Sequence, residues 1–93
     1  MFWTAAHNVY KECRRLGLCR SQRDFSRRWL GRGPHYMRLV SNRRGFTSRR
    51  TNNTLHRRLE EERFRTPELS VSVSALIDQI AQAEVMANWL RRR

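Results

Sequence analysis

The stretch Ser21–Val40 constrains the fold of this 93-residue chain more than any other part of it. Ser21 is a good helix N-cap, and Asp24, three residues later, can return a bond to the cap backbone in a capping box. The Gly31–Pro34 segment then interrupts the helix with two glycines, and its proline suits the first position of a new helix. A short helix, a glycine-containing turn and a second short helix form the outline of a helix-turn-helix.

Local signals along the chain predict about five helices and no strand, and therefore an all-α fold that ends in a long C-terminal helix. Gly17 can end the first helix in the left-handed conformation. The predicted helices are Thr4–Leu16, Gln22–Leu30, Pro34–Asn42, a helix from a Thr47 or Ser48 cap to Phe64, and Thr66–Leu90. The side chains expected in the core of the motif are Phe25, Trp29 and Leu30, between helices two and three and covered by helix one. Those expected from helix four are Leu55, Leu59 and Phe64.

The C-terminal helix carries seven apolar residues at alternating steps of four and three. This stripe consists of Leu69, Val73, Leu76, Ile80, Ala83, Ala87 and Leu90. The helix would be about 36 Å long, which the preceding helices would not easily cover. We therefore predict a helix-turn-helix domain in residues 1–65 and, in residues 66–93, an oligomerisation helix with a basic tail that pairs two copies in a homodimer. The alternative is that this helix folds back and completes the core of its own domain.

Positive charge is concentrated in the part of the chain that contains the helix-turn-helix outline. The net charge is +12, and all of the 20 basic residues except Lys11 are arginine. Residues 14–58 contain fourteen arginines and one acid, Asp24, whereas residues 59–90 contain two arginines and six acids. A GC-rich genome would also favour arginine codons, and this explanation stays open for the total. The uneven distribution favours nucleic acid as the partner.

Other classes of function lack their usual signals. No segment has the features of a signal peptide or the length of a membrane span, and two cysteines suit a reducing cytoplasm. The cysteines and histidines lack the spacing of a zinc site, and there is no glycine-rich phosphate loop or nucleophile setting. We therefore expect no enzyme activity, cofactor, metal, small-molecule substrate or membrane attachment, and we expect a cytoplasmic, nucleoid-associated protein.

Six residues of the motif stand in the pattern Q-x-x-F-S-x-x-W-L-G: Gln22, Phe25, Ser26, Trp29, Leu30 and Gly31. With one extra residue before the glycine, this pattern resembles the Q-x-x-L-A-x-x-L-G signature of lambda-repressor-like (Xre-type) helix-turn-helix proteins. Residues 42–45 and 54–55 resemble the loop and the next helix of that family. The resemblance implies a helix-turn-helix that binds duplex DNA. The string F-S-R-x-W-L-G-R-x-x-x-Y is also similar to a group of small bacterial proteins of unknown function, often tied to mobile elements.

In a helix-turn-helix the second helix contacts base edges, while flanking groups hold the phosphates. The expected base contacts are Arg32, His35, Tyr36, Arg38 and Arg43. The expected phosphate contacts are Ser21, Gln22, Arg27, Arg28, Arg44, Thr47, Ser48, Arg49 and Arg50. Arg38 can make a bidentate contact to guanine, and Tyr36 can stack or bond to phosphate. The alternative is that Tyr36, Met37 and Val40 pack in the core and that most arginines coat a solvated surface. For Met37 and Val40 we predict packing in the core.

These observations leave several functional hypotheses. The first is a sequence-specific double-stranded DNA-binding protein that acts as a small bacterial transcription regulator and binds as a dimer. The second is an architectural or accessory DNA-binding factor of a mobile element, of the excisionase or relaxosome type. The third is an RNA-binding protein, which the absence of an aromatic RNA platform disfavours. The fourth is an interaction module for an acidic protein.

Overall fold

The computed structural model describes residues 1–91, and within them the backbone forms helices joined by short connections. The helices are α1 (Trp3–Arg15), α2 (Gln22–Arg28), α3 (Tyr36–Asn42), α4 (Arg49–Arg65) and α5 (Ser70–Arg91), with a 3-10 turn at Pro67–Leu69 before α5. In this part of the chain there is no β-strand beyond an isolated bridge between Phe2 and Phe46. The prediction of an all-α fold with a long C-terminal helix is confirmed.

Side-chain caps begin α2 and α4 at the positions that the sequence indicates. The hydroxyl of Ser21 accepts a bond from the backbone N–H of Asp24 (3.1 Å). The hydroxyl of Ser48 accepts one from the backbone N–H of Thr51 (3.2 Å). The carboxylate of Asp24, however, bonds to the backbone N–H of Arg20 (2.9 Å), one residue before the cap. The predicted capping box is therefore wrong in that bond, although the cap itself is confirmed.

Glycines with positive φ end the first two helices. Gly17 has a φ of 78° after α1, as predicted, and Gly31 has a φ of 65° after α2. Only glycine adopts this conformation without a steric cost. The turn between α2 and α3 is longer than predicted, because α2 already ends at Arg28 and α3 begins only at Tyr36. The backbone N–H of Tyr36 bonds to the carbonyl of Gly33 (3.2 Å), which makes the Pro34 region a turn rather than a helix.

All five helices contribute to one hydrophobic core. Phe25 is completely buried, and its ring centroid lies 5.6 Å from that of Tyr10 on α1. Trp29 is 5% exposed, and its indole N–H donates to the backbone carbonyl of Leu18 (2.9 Å). Leu30 is buried as well. The prediction that these three motif residues form the core is confirmed.

Phe64 is an exception among the predicted core residues of α4. Leu55 and Leu59 are completely buried, but Phe64 is 78% exposed and lies beside the guanidinium of Arg63 (5.5 Å from the ring centroid). Leu55 and Leu59 are four residues apart and share a face, whereas five more residues turn the helix by about 140°. The prediction was therefore wrong for Phe64, because the apolar face of α4 points elsewhere at that position.

The predicted dimerisation stripe of α5 packs inside the chain. Four of its residues are buried, namely Val73, Leu76, Ile80 and Ala87. Two more are partly buried against the same core, Leu69 and Ala83, while Leu90 is 53% exposed. The covering helices are α4 and α1, both of which contact α5. The fold-back alternative is therefore the observed arrangement, and the assignment of the buried stripe residues to a dimer interface was wrong.

The C-terminal helix consequently belongs to the same domain as residues 1–65, because a single hydrophobic core contains side chains from both, from Met1 to Ile80. The predicted division at residue 66 does not correspond to a boundary in the packing. The last two residues of the predicted basic tail, Arg92 and Arg93, lie outside the described residues. In residues 1–91 no helix is long and apolar enough to cross a membrane.

Candidate nucleic-acid interface

The helix α3 has one buried side and one exposed side. Met37 and Val40 point into the protein and are almost completely buried, as predicted. The exposed residues that share the opposite side recur at positions i, i+3, i+4 and i+7 from the cap. We call this set the α3 outer face, and it consists of His35, Arg38, Leu39 and Asn42. The helix therefore presents a continuous polar and apolar surface to solvent, as a recognition helix must.

Arg32 and Tyr36, two predicted base contacts, are bound within the chain instead. The Nε of Arg32 donates to the hydroxyl of Thr51 (2.8 Å), and its Nη2 donates to the hydroxyl of Ser48 (3.1 Å). The same guanidinium lies over the Tyr36 ring, 5.4 Å from the centroid. The hydroxyl of Tyr36 accepts a bond from the backbone N–H of Ser48 (3.3 Å). These contacts hold the start of α4 beside the start of α3, so both side chains have partners within the chain and are not free in the way that Arg38 is.

Thr47 and Ser48, two predicted phosphate contacts, also have structural roles. Thr47 is completely buried, and its hydroxyl bonds to the carbonyl of Met1 (3.1 Å) and to Oδ1 of Asn52 (2.5 Å). A phosphate cannot reach it, so that prediction was wrong. The hydroxyl of Ser48 is shared between the Thr51 backbone, the Thr51 hydroxyl and Arg32. Ser48 therefore acts as the cap of α4, and its side chain is not free for DNA.

Seven exposed arginines in the described residues have no side-chain hydrogen bond or ion pair within the chain. We call them the free arginines, and they are Arg20, Arg23, Arg27, Arg38, Arg44, Arg49 and Arg50. Five of them are predicted DNA contacts: Arg27, Arg38, Arg44, Arg49 and Arg50. All seven lie between residues 20 and 50, on or beside α2, α3 and the start of α4. Because their guanidinium donors have no internal partner, they remain available to phosphates and base edges.

Three arginines of α4 are paired with carboxylates of the same helix. The pairs on α4 are Arg57–Glu61 (4.0 Å), Arg63–Glu60 (2.7 Å) and Arg65–Glu62 (3.9 Å). Among the predicted DNA contacts, Arg28 is near Asp24 (3.5 Å), and Arg43 donates to the carbonyl of Leu39 (3.3 Å). Both side chains stay exposed, so these local bonds compete only weakly with a phosphate. The unpaired positive charge is thus separated from the acids along the chain.

A groove between α1, α2 and α3 brings Gln22 and Arg38 together. Its lining also includes Trp3, His7 and Ser41. A neighbouring shallow groove shares His7 and Gln22 and continues along α1 past Lys11, Arg14 and Arg15. The basic surface therefore extends onto α1, which the sequence interpretation did not include. The spacing of His7, Lys11, Arg14 and Arg15, which places them on one side of a helix, could have indicated it.

Leu39 and Asn42 are candidate contacts that the sequence interpretation also missed. Leu39 is 54% exposed, although a leucine in a short helix is usually assigned to the core. Asn42 is exposed one turn away on the same face. The signal was present in the sequence, because Met37 and Val40 define the buried side and leave residues 39 and 42 on the other.

Arg44 adopts a backbone conformation that normally favours glycine. Its φ is 49°, and it is the only non-glycine residue with positive φ among the described residues. It lies two residues after the end of α3, and the backbone N–H of Gly45 closes the turn by bonding to the carbonyl of Val40 (3.0 Å). An arginine here carries a steric cost of about 1 kcal/mol that a glycine would avoid. The exposed charge of Arg44 therefore stands at a turn that glycine would form without this cost.

The described residues contain no group of three His, Cys, Asp or Glu side chains that could hold a metal ion. Cys13 and Cys19 are buried free thiols. Burial raises the pKa of the Cys13 thiol from 9.0 to about 12 and also raises that of Cys19, so both are protonated at neutral pH. Within residues 1–91, the exposed α3 face and the free arginines form the candidate functional surface that we consider.

A protein-family model described as "Family of unknown function (DUF6626)" matches residues 7–90. The chain belongs to DUF6626. The match spans all five helices, from the first half of α1 to the end of α5, and therefore includes the whole candidate interface. No curated protein and no solved structure matches the chain. Membership in DUF6626 assigns no activity, so the function has to be inferred from the surface itself.

Proposed function

We propose that this DUF6626 protein binds double-stranded DNA sequence-specifically and acts as a small bacterial transcription regulator associated with the nucleoid. The observation that carries the proposal is the exposed α3 outer face together with the free arginines, which lie on or beside α2, α3 and the start of α4. Proteins that bind DNA through a helix-turn-helix insert such a face into the major groove, where each base pair has a distinct pattern of donors and acceptors.

The α3 outer face contains side chains suited to base edges. Arg38 can donate two bonds to the O6 and N7 atoms of guanine, and Asn42 can bond to the N6 and N7 atoms of adenine. Leu39 can contact the methyl group of thymine. His35 stands at the N-terminal end, where recognition helices make most of their base contacts. These four residues replace the predicted set that included Arg32 and Tyr36.

The free arginines other than Arg38 supply the phosphate contacts. Arg44 follows the C-terminal end of α3, while Arg49 and Arg50 begin α4, whose start the Arg32 contacts hold beside α3. On the other side of the turn along the chain, Arg23 and Arg27 lie on α2, and Arg27 also lines a groove with Glu61 and Glu62 of α4. Positive charge on both sides of a recognition helix can follow the two phosphate strands that border the major groove. The groove at Gln22 and the basic side of α1 can extend this contact.

An accessory DNA-binding factor, of the kind that bends or marks DNA for a recombination or transfer enzyme, is the second candidate. The observation in its favour is the ratio of charges to base-contacting groups. Six free arginines besides Arg38 accompany an outer face of four residues, three of which lie on a helix of only seven residues. Electrostatic contacts add affinity without sequence information, so this ratio favours binding that tolerates many sequences. Such a factor would act through the same surface.

Fluorescence anisotropy at one fixed salt concentration separates the candidates. The probes are a duplex selected from a random library, a scrambled duplex of equal length, and a structured RNA. A regulator should prefer the selected duplex at least about a thousandfold, whereas an accessory factor should bind both duplexes within a small factor. Binding of the RNA as tightly as of the best duplex would refute both DNA proposals.

Two sets of variants test the proposed surface. Arg38→Gln should reduce discrimination between sequences by about 1–3 kcal/mol if Arg38 contacts a guanine. Arg49→Gln combined with Arg50→Gln should weaken all duplexes alike and reduce the slope of log K against log salt concentration by about 1.8, for two lost phosphate contacts.

The matched control for these variants is Arg63→Gln combined with Arg65→Gln, which removes the same charge from the ion-paired end of α4. It should leave both the discrimination and the salt slope close to those of the wild type. If the control changed the slope as much as the Arg49 and Arg50 pair, the binding would depend on total charge alone. The proposed surface would then be wrong.

A further inference from the structure

The outward side of α5 carries a second stripe, opposite the one buried in the core. Its residues recur at steps of four, three, four, three and four and are all exposed. We call it the outer stripe, and it consists of Val71, Ala75, Asp78, Gln82, Val85 and Trp89. Val71, Val85 and Trp89 are among the most exposed large apolar residues of the chain, and Met86 widens the stripe beside Val85. Alternating steps of three and four are the spacing of a helix that pairs with another helix.

The order of residue types along the outer stripe is symmetric. The apolar residues lie at both ends, and the two polar residues, Asp78 and Gln82, lie at the centre. The stripe is centred on residue 80, so a second copy running in the opposite direction would place position 71 against 89, 75 against 85 and 78 against 82. We propose that two copies of this chain associate through their outer stripes as an antiparallel helix pair.

In the antiparallel arrangement every layer of the pair has compatible partners. Val71 meets Trp89 of the partner subunit, and Ala75 meets Val85 of the partner subunit. Asp78 meets Gln82 of the partner subunit, whose amide can donate to the carboxylate. A parallel pair in register would instead place Asp78 against Asp78 of the partner subunit, and two like charges at close range repel. The sequence of the stripe therefore selects the antiparallel direction.

The distribution of charge also favours this face for contact between two copies. Two chains with a net charge of +12 repel each other over most of their surfaces. Residues 70–90 contain no basic residue and two acids, Asp78 and Glu84. Glu84 is already bonded to the side-chain amide of Asn52 on α4. Of the free arginines, Arg49 lines the groove beside α5 that includes Ala81, which is not part of the outer stripe. Because the outer stripe itself contains no arginine, contact through it brings together less positive charge than contact through residues 14–58 would.

The size of the stripe predicts a weak dimer. From Val71 to Trp89 it is about 27 Å long and one helix wide, which places the contact at the lower end of specific protein interfaces. Two central polar layers reduce its apolar area further. We expect dissociation in the micromolar range and concentration-dependent association of the full chain in the absence of DNA. The inference therefore does not rest on the proposed DNA binding.

Sedimentation equilibrium of the full chain tests the inference, with salt added to screen the repulsion between copies. The variants are Ala75→Glu, Val85→Lys and their combination. Each single substitution places a charge against an apolar residue of the partner subunit and should raise the dissociation constant at least about tenfold. In the combination, the two introduced charges face each other across an antiparallel pair. The dissociation constant of the double variant should therefore return most of the way to the wild-type value. Within one helix they lie about 15 Å apart and cannot form a close pair.

Ala81→Glu is the matched control, because it introduces the same charge on an exposed alanine of α5 that lines the groove beside α4 instead of the outer stripe. It should leave association unchanged, and circular dichroism should show that all variants remain folded. A wild-type chain that stays monomeric at several hundred micromolar would overturn the dimer. If Val85→Lys associated as tightly as the wild type, the outer stripe would not be the interface. If the double variant associated no more tightly than the single variants, the antiparallel register would be wrong.

Discussion

Replacing Trp29 by alanine should nearly unfold the protein, and the structure gives the size of the effect. The indole is buried and its N–H donates to the carbonyl of Leu18 (2.9 Å). Removing a buried aromatic ring leaves a cavity and costs about 3–5 kcal/mol. A domain of 93 residues has a total stability of about 5–14 kcal/mol, so the loss is a large fraction of it. The melting temperature should fall by roughly 12–40 °C, at about 4–8 °C per kcal/mol.

A smaller change, Trp29→Phe, separates the ring from its hydrogen bond. Phenylalanine keeps most of the apolar volume but leaves the Leu18 carbonyl without its donor. We expect a loss of about 1–3 kcal/mol, the cost of an unsatisfied buried polar group. Trp89→Ala is the internal control, because Trp89 is 64% exposed and its removal should change the stability of the monomer by no more than about 0.5 kcal/mol.

Urea denaturation followed by far-ultraviolet circular dichroism measures all three variants without relying on tryptophan fluorescence. The protein concentration should lie below the expected dissociation constant of the dimer, so that self-association does not contribute. If Trp29→Ala melted like the wild type, or if Trp89→Ala were equally destabilising, the packing of the core around α2 would be wrong. Trp29 would then be an exposed side chain available to a base or a partner.

Three further predictions follow from single contacts. Arg32→Ala should lower the free energy of unfolding by about 1–2 kcal/mol, since two hydrogen bonds to Thr51 and Ser48 at the start of α4 are lost. Unlike Arg38→Gln, it should leave the protein's discrimination between DNA sequences unchanged. Arg44→Gly should raise the melting temperature while weakening duplex binding, because glycine relieves the positive φ and removes a charge; a variant that loses stability contradicts this. For Cys13, the thiol pKa of about 12 lies above the ordinary 9.0, so the folded state holds its proton where the unfolded state loses it. The free energy that the protonated Cys13 thiol contributes to folding should be fully present below pH 9 and be lost as the pH rises from 9 to 12. In urea titrations, Cys13→Ala should remove this decrease in the free energy of unfolding.

The parts of the fold that could be predicted from the sequence depend on short-range signals. Ser21 and Ser48 act as helix caps through hydroxyls that bond three residues ahead, and Gly17 ends α1 through its own backbone conformation. Periodic apolar residues likewise identified the buried sides of the helices, except at Phe64 of α4. Each of these depends on residues within one or two turns, where sequence spacing fixes geometry.

The parts of the candidate site that were predicted wrongly depend on contacts between distant residues. Arg32 is nineteen residues from Thr51, and Thr47 is forty-six residues from Met1. No local pattern indicates that an arginine in a turn will bond to a later helix, or that a threonine in a loop will be buried under the N-terminus. Composition identified a basic surface, but only the folded arrangement separates the arginines that are bound from those that are free.

The apolar stripe of α5 shows why periodicity identifies a buried face without identifying its partner. Alternating steps of three and four predict burial equally well against another copy or against the helices of the same chain. The buried stripe, from Leu69 to Ala87, is covered by α1 and α4. Of the two stripes on α5, the shorter and more polar outer stripe is the one that a second copy can contact. A weak contact of this kind can still matter on DNA. A duplex that holds one copy raises the effective concentration of a second copy beside it to far above the bulk value. If both proposals hold, association that is barely detectable in free solution should become cooperative on a duplex with two adjacent sites, and Val85→Lys should abolish that cooperativity while leaving binding to a single site intact.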